Sequence, residues 1–449
     1  MKRSTLALLL LAALGAVMVY YLEIKDAKPR DEQPESSKPA FSFKREDLAS
    51  VSITHSATGA GETILLEQQD GKWVIKQPIS ATANESAVDT LISDIVNARI
   101  ERTITASPEE IKSFGLTEPA INISLKLKSG PEHRLRLGTK DFTNLSVYGL
   151  VDDTREVALL PATLAAGAEK SVNELRDLSI LGGLSQFDIS SLTVKNSNGG
   201  FALAKENSEW IVKSPFQGAA DETQVSSLLS DVTSARATEV ATEKADDLTV
   251  YGLTQPAIVV TARLEAGGER QISIGSTTDK TGKNYYAKSS DRGQVFKIDD
   301  SLFEKLDLKP AQLRSKQILK LDQATLTKVQ LKNPNMTLVV EKNAEGKWLI
   351  REPADQKDKE AQTTRFLDPL ASAKATEVLD KPSAAIAAKF AKPAVEIRLI
   401  GKDGKTITVR VSSADGEDAY ARVDGRPEVF KVGKQLLDEL SFKATDIAP

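Results

Sequence analysis

Few residues in this 449-residue chain have the chemistry to act on a ligand. There are two histidines, His55 and His133, and no cysteine. A protein zinc site needs three or four converging ligands. Both histidines fall at strand edges or turns of the first third, so they read as surface side chains and no metal is expected. Gly401-Lys402-Asp403-Gly404-Lys405-Thr406 ends like a phosphate-binding loop. Leu399, however, stands where the first glycine of that motif belongs, and the segment lies between two predicted strands, where a hairpin turn is expected. The acidic pairs Glu109-Glu110, Asp152-Asp153, Asp246-Asp247 and Asp299-Asp300 are candidates for calcium or general acid–base work. None has the alternating spacing of a calcium loop, and most sit at turns or helix starts, where carboxylates cap amides. No nucleophile-elbow, zinc-protease or dinucleotide-binding motif occurs. The chain therefore reads as a non-enzyme with no catalytic residue and no cofactor.

The three tryptophans could be stacking platforms for a sugar or a partner. Their surroundings favour a structural role. Gly71-Lys72-Trp73-Val74-Ile75-Lys76-Gln77-Pro78 returns as Glu209-Trp210-Ile211-Val212-Lys213-Ser214-Pro215 and as Gly346-Lys347-Trp348-Leu349-Ile350-Arg351-Glu352-Pro353. Each tryptophan precedes its proline (Pro78, Pro215, Pro353) by the same interval, and alternates with an aliphatic residue on one strand face. Each is expected to plug a core, where its ring buries about 150–250 Å². The repeats are about 137 residues apart, far beyond the 20–50 of stacked solenoids, so each copy is expected to carry its own core.

The elements that hold this segment follow one plan. Each copy opens with an alternating strand (47–54, 188–194, 322–331) and a second strand (63–67, 201–204, 337–341), then turns into the tryptophan strand. Asn84 and Asp221 are N-caps for helices predicted over 85–98 and 222–235. Val88, Leu91, Ile92, Ile95 and Val96 form an apolar stripe, as do Val225, Leu228, Leu229 and Val232. Pro369 makes the third helix less regular. A basic residue recurs at one offset after the tryptophan, as Arg99, Arg236 and Lys374, where capping of a helix C-terminus accounts for it. Phe114-Gly115-Leu116-Thr117-Glu118-Pro119 matches Tyr251-Gly252-Leu253-Thr254-Gln255-Pro256, with Gly115 and Gly252 as left-handed helix stops before Pro119 and Pro256. The third copy reduces this to Phe390-Ala391-Lys392-Pro393 and keeps only Pro393. Two hairpins and a short helix (162–168, 301–306, 433–440) close each copy. Copies one and two end in Leu175-Arg176-Asp177-Leu178-Ser179-Ile180-Leu181 and Leu313-Arg314-Ser315-Lys316-Gln317-Ile318-Leu319, and copy three lacks this tail. Leu175, Arg176, Leu313 and Arg314 are read as inter-domain connectors.

Residues 4–22 are a long apolar run after Lys2-Arg3. At about 1.5 Å per residue the run approaches a bilayer core of roughly 30 Å. Its bulky end, Val17-Met18-Val19-Tyr20-Tyr21, lacks the small residues a signal peptidase needs, so an uncleaved anchor is expected. The preceding charge keeps residues 1–3 cytoplasmic. Residues 23–46 are proline-rich and charged, and read as a flexible linker. Three domains follow, at 47–187, 188–321 and 322–449. Mixed strands and helices without βαβ alternation predict α+β domains with largely antiparallel sheets behind an N-terminal transmembrane helix. A net charge of −4 argues against a nucleic-acid partner.

The W-x-[VIL]-x-x-P segment, its helix, the GLxxP turn and the L-R-x-x-x-[IL]-L tail together resemble the bacterial domain of unknown function 4340 family, over residues 47–449. The resemblance implies a membrane-anchored, extracytoplasmic protein whose relatives include companions of gliding-motility-type ABC transporters. The expected function is a periplasmic repeat scaffold or accessory subunit of an envelope complex. It would be held in the inner membrane by residues 4–22 and carry a membrane-complex protein partner. The alternative is a periplasmic module binding glycan, lipid or peptide in clefts between repeats.

Overall fold

A computed structural model describes residues 37–56, 62–152, 154–277 and 283–447. The anchor and most of the linker lie outside the described residues. Chain contacts divide the molecule into two compact units, residues 1–178 and 179–449.

In the first unit one antiparallel sheet of nine strands is built from both ends of the sequence. From one edge it runs Ala81–Thr82, Lys72–Gln77, Glu62–Gln69 and Leu48–His55. It continues through Ile121–Leu127, Glu132–Lys140, Ser146–Val151 and Glu156–Pro161 to Arg102–Thr105. The hairpin before the tryptophan turns on Asp70 (φ 50°) and Gly71 (φ 80°). Two consecutive positive φ angles match the twist of the strands, and Asp-Gly adopts them readily. The helix Glu85–Val96 is capped by the Asn84 side chain, which accepts from the Ala87 amide. It lays Val88, Leu91, Ile92 and Ile95 on the sheet, all fully buried; each contributes about 1.5–3 kcal/mol through burial.

The second unit contains two sheets with the same plan. One has nine strands in the matching order, from Gly218–Ala219 at one edge to Glu239–Thr242 at the other. Its hairpin turns on Asn207 (φ 49°) and Ser208 (φ 69°), so the same turn forms without glycine. The other has eight strands and lacks the two-residue edge strand, a place taken by a single bridge between Leu349 and Glu360. Here the helix Thr364–Ser372 is shorter, contains Pro369, and buries Phe366, Leu367 and Leu370. The fold is α+β and rich in antiparallel strand, as the sequence predicts.

Several local readings change. The linker does not extend to residue 46: Lys38–Pro39 pairs with Arg99–Ile100, and Phe41 is buried in the first core. The basic residues are not helix caps. The first helix ends with Asn97 as C-cap, and Arg99 lies beyond it in an extended pair, donating from Nη1 to the Ser37 carbonyl at 2.7 Å. Arg236 bridges Ser179 and Lys374 bridges Gln317 in the same way. Ala98, Ala235 and Ala373, one residue earlier, accept amides from Ala40, Ile180 and Ile318. The recurring offset thus marks where the incoming chain docks.

Gly115 (φ 70°) and Gly252 (φ 66°) take the expected left-handed conformation. Leu116 and Leu253 then send amides back to Ile111 and Leu248, satisfying helix-end carbonyls. The turns rest on a second pair of glycines that the sequence pattern did not single out. A Cβ on Gly138 would lie 2.0 Å from the Phe114 carbonyl oxygen, and one on Gly275 2.1 Å from that of Tyr251. The third copy has lost both partners together, with Ala391 in the turn and Ser412 directly after the strand Thr406–Val411. Gly138→Ala is therefore expected to push the turn off the sheet and lower the stability of the first unit by about 1–3 kcal/mol, the usual cost of overpacking. Thermal or denaturant unfolding measures it, with Ser129→Ala as the neutral comparison.

Candidate functional site

Among the described residues none of the chemically equipped side chains forms a reactive constellation. Gly401–Thr406 is a hairpin turn between the strands Val395–Gly401 and Thr406–Val411, with Gly404 at φ 76°. The Asp403 carboxylate accepts the Lys405 amide at 3.0 Å, which holds its pKa below the usual value. No helix follows to aim amides at a phosphate. His55 Nε2 contacts the Ala168 carbonyl at 2.7 Å, and His133 Nδ1 contacts Asp152 at 3.1 Å beside the ring of Phe43. In three of the acidic pairs a carboxylate caps a turn or helix start; in the fourth Asp153 lies outside the described residues and Asp152 accepts the Arg134 amide at 3.0 Å. Glu110 closes a box with Ser107, whose backbone amide depresses the carboxyl pKa. Asp247 accepts the Thr249 amide, with the same effect, and Asp299 accepts that of Leu302. Among the described residues no three His, Asp or Glu side chains are placed to hold a metal ion.

The tryptophans divide. Trp73 is buried at 5% exposure, whereas Trp210 and Trp348 are half-buried. Their cross-strand neighbours differ: Gln68 faces Trp73, but Lys205 faces Trp210 and Lys342 faces Trp348. The Lys342 ammonium stands 5.0 Å from the Trp348 ring centroid, a contact that needs an accessible ring face. The three prolines share one geometry, each following a cis peptide bond.

The tail residues, read as connectors, are stitched into their own copy first. Leu175 is fully buried and its carbonyl accepts the Asn84 amide at 2.8 Å. Leu313, equally buried, accepts from Asp221 at 2.8 Å. Arg176 bridges Ala83, and Arg314 bridges Ala220. The third copy keeps this contact although its sequence hides it: Ile447 is fully buried and accepts the Gln362 amide at 2.9 Å. A shared signal precedes all three. The acidic or amide side chains of Glu174, Gln312 and Asp446 reach back to the amides of Ser171, Lys309 and Lys443, each at 2.8 Å. The aliphatic residue follows directly.

Within the second unit the tail of copy two then crosses to copy three with no slack. Ser315 donates to Ala219, Lys316 accepts from Ala375, and Ile318 donates to Ala373. Gln317 donates from its side chain to the Ala371 carbonyl. Ile318 and Leu319 are buried in the third core, where Arg426 Nη1 donates to the Ile318 carbonyl at 2.9 Å. Arg314, 8% exposed, reaches over to Asp380: Nη1 donates to one carboxylate oxygen at 2.6 Å, and Nη2 stands in ion-pair contact with the other at 2.5 Å. The Phe216 ring covers its guanidinium at 4.4 Å. Lys320 reaches in the opposite direction to Glu209 (2.7 Å) and Glu222 (3.1 Å), and the Glu209 bond leads in raising its pKa.

This junction holds an open cleft of about 700 Å³, lined by Phe216, Gln224, Lys309, Arg314, Glu377 and Asp380 among others. A smaller one, about 290 Å³, lies beside Trp210, Lys320 and Arg426. The walls carry both signs of charge, and the closest pairs are already formed. Asp380→Asn would leave the Arg314 guanidinium beneath Phe216 without its counter-charge. Because Asp380 is half exposed (47%), the expected loss is about 1–3 kcal/mol, below the full cost of breaking a buried pair. Chemical denaturation of the full chain checks it.

The sequence pattern of the family described as "Domain of unknown function (DUF4340)" matches residues 73–219 and 210–393. The chain belongs to this family and carries it as a tandem repeat. No curated protein matches the chain. Two solved Pseudomonas aeruginosa structures align over most of the length. The DNA polymerase III subunit beta is 8% identical, covering 88% of this chain and 94% of its own, at a TM-score of 0.14. The DNA polymerase sliding clamp with ligand is 8% identical, covering 87% and 92%, also at 0.14. A TM-score this low carries no argument about fold or function.

Proposed function

We propose that the chain is a membrane-anchored, periplasmic scaffold, an accessory subunit of an envelope complex of the ABC-transporter type. Residues 4–22 are the inner-membrane anchor, and the bulk of the chain projects from it as three tandem α+β domains. The observation that carries this reading is the stitched junction between copies two and three. A seven-residue connector, hydrogen-bonded on both sides and crossed by Arg314–Asp380 and Lys320–Glu209, ties the two sheets of the second unit together. Fixed spacing of surfaces is what a scaffold supplies, whereas a ligand clamp generally needs a hinge. Among the described residues no helix is long and apolar enough to cross a membrane; the proposed anchor is residues 4–22. A reporter active only outside the cytoplasm, fused after Pro449, should be active. A reporter signal confined to the cytoplasm would refute the topology.

The cleft beside Phe216 favours one other reading, a module binding glycan, lipid or peptide at the junction. Its size lies within the usual range for ligand sites of about 300–1,000 Å³, which are mostly apolar with a few placed polar groups. Here half of the lining side chains are charged and only Phe216, Ala311 and Val378 are apolar, which ranks this reading second. Native mass spectrometry of protein purified from its membrane would reveal a retained ligand, lost in Phe216→Ala.

A further inference from the structure

The largest exposed apolar feature among the described residues is the tip of the hairpin joining Glu132–Lys140 to Ser146–Val151 in the first unit. Phe142 is 94% exposed and Leu145 75%. This tip is firmly built. The Asp141 carboxylate accepts the Thr143 hydroxyl at 2.7 Å and the Ser146 amide at 3.1 Å. Asp141 and Ser146 also pair through the backbone at 2.9 Å, and the Leu145 carbonyl accepts the Ala162 amide. Asn144, at φ 60°, takes the left-handed position that asparagine tolerates. A turn held this way displays two apolar side chains at the cost of their hydration.

Its position suggests what covers them. The Ser146 hydroxyl donates to Glu101 at 2.8 Å. Glu101 follows the Arg99–Ile100 strand, which pairs with Lys38–Pro39, where the described chain begins. The tip thus lies at the corner of the unit from which residues 1–36 lead away. Fully extended at about 3.5 Å per residue, residues 23–36 reach at most about 50 Å, so this corner lies within about 50 Å of the proposed anchor. Exposed cations share it: Lys38, Arg99, Arg102 and Lys140, with Arg102 and Lys140 placed there by pairing to Leu159 and Val147. At this corner four exposed cations stand against the one exposed carboxylate of Glu101, itself turned to Ser146. Apolar side chains beside such an excess of cations match an anionic bilayer surface, where the rings and aliphatic chains enter the headgroup boundary and the cations meet lipid phosphates. The equivalent turn of the third copy, Ser413-Ala414-Asp415-Gly416-Glu417, offers no large apolar side chain.

We propose that Phe142 and Leu145 dock on the lipid surface beside the chain's own anchor and fix the first unit against the membrane. The proposal rests on the anchor reading above. Because the chain has no cysteine, full-length Leu145→Cys carries a single environment-sensitive fluorophore cleanly. Ser129→Cys, in the exposed turn before the far end of the strand Glu132–Lys140, is the reference. In vesicles of phosphatidylethanolamine and phosphatidylglycerol, brominated lipid should quench the Leu145 probe several-fold more than the Ser129 probe. Adding Phe142→Ser should remove most of that difference. Equal quenching at both sites, in protein that floats with the vesicles, overturns the docking proposal and leaves the anchor reading standing. Protein that fails to float overturns the anchor reading, and docking beside an anchor falls with it. A Leu145 probe that shifts only when solubilised envelope proteins are added marks the tip as a protein-docking site and overturns the lipid assignment.

Discussion

Trp73→Ala should destabilise the first unit by about 3–5 kcal/mol, the cost of emptying a large aromatic site in a packed core. Trp73 is 5% exposed and packs within the core that holds Leu66, Ile75 and Leu91. No charged side chain faces it across the strand pair to refill the space. Trp210→Ala and Trp348→Ala should cost less, about 1–3 kcal/mol, because part of each ring already meets solvent and a lysine stem lies alongside. Following the tryptophans separately by fluorescence during denaturation distinguishes the cases. The transition reported by Trp210 and Trp348 should stay in place in Trp73→Ala. Equal losses at all three positions would mean that the half-exposed rings carry more packing than their burial shows.

Leu313→Ala is expected to cost about 2–5 kcal/mol, although the sequence marks it as a linker residue. Its side chain is fully buried, and its carbonyl anchors the Asp221 amide at the start of a helix. Truncation keeps the backbone bond but opens a cavity under the strap that carries Arg314 across to Asp380. The loss should be accompanied by faster proteolysis between residues 313 and 320. Lys316→Ala, in the same strap but exposed, should do neither. A loss in Leu313→Ala below about 1 kcal/mol would mean that the tail is a tether and not part of copy two. The same reasoning makes Ile447 the counterpart in copy three.

What the sequence made legible was local. Two-residue alternation marked the strands, the 3.6-residue stripe marked the helices of copies one and two, and Gly115 and Gly252 announced their turns by backbone chemistry. What stayed hidden depends on partners distant in sequence. Gly138 matters because the Phe114 carbonyl folds down on it, and nothing beside Gly138 says so. The short edge strands Arg102–Thr105, Glu239–Thr242 and Glu377–Leu379 carry too few residues to show a period. Arg99, Arg236 and Lys374 recur at one offset, which in sequence reads as capping, whereas the incoming chain pairs there. Ile447 lacks the Leu-Arg lettering, so the third tail was missed, while the Glu174, Gln312 and Asp446 back-bonds show the signal that would have found it. The candidate site was legible only as a connector. That Arg314 crosses it to Asp380, 66 positions along the chain, is a property of the fold.

The central claim, a scaffold committed to a membrane complex, is tested most directly by cross-linking in intact membranes. Photoreactive side chains placed at exposed positions of all three copies, in the full-length chain, should capture an integral transporter or envelope component, at some positions and not others. Capture of no membrane protein at any position would contradict it, and a bound small molecule recovered instead from the Phe216 cleft would transfer the function to the ligand-binding reading.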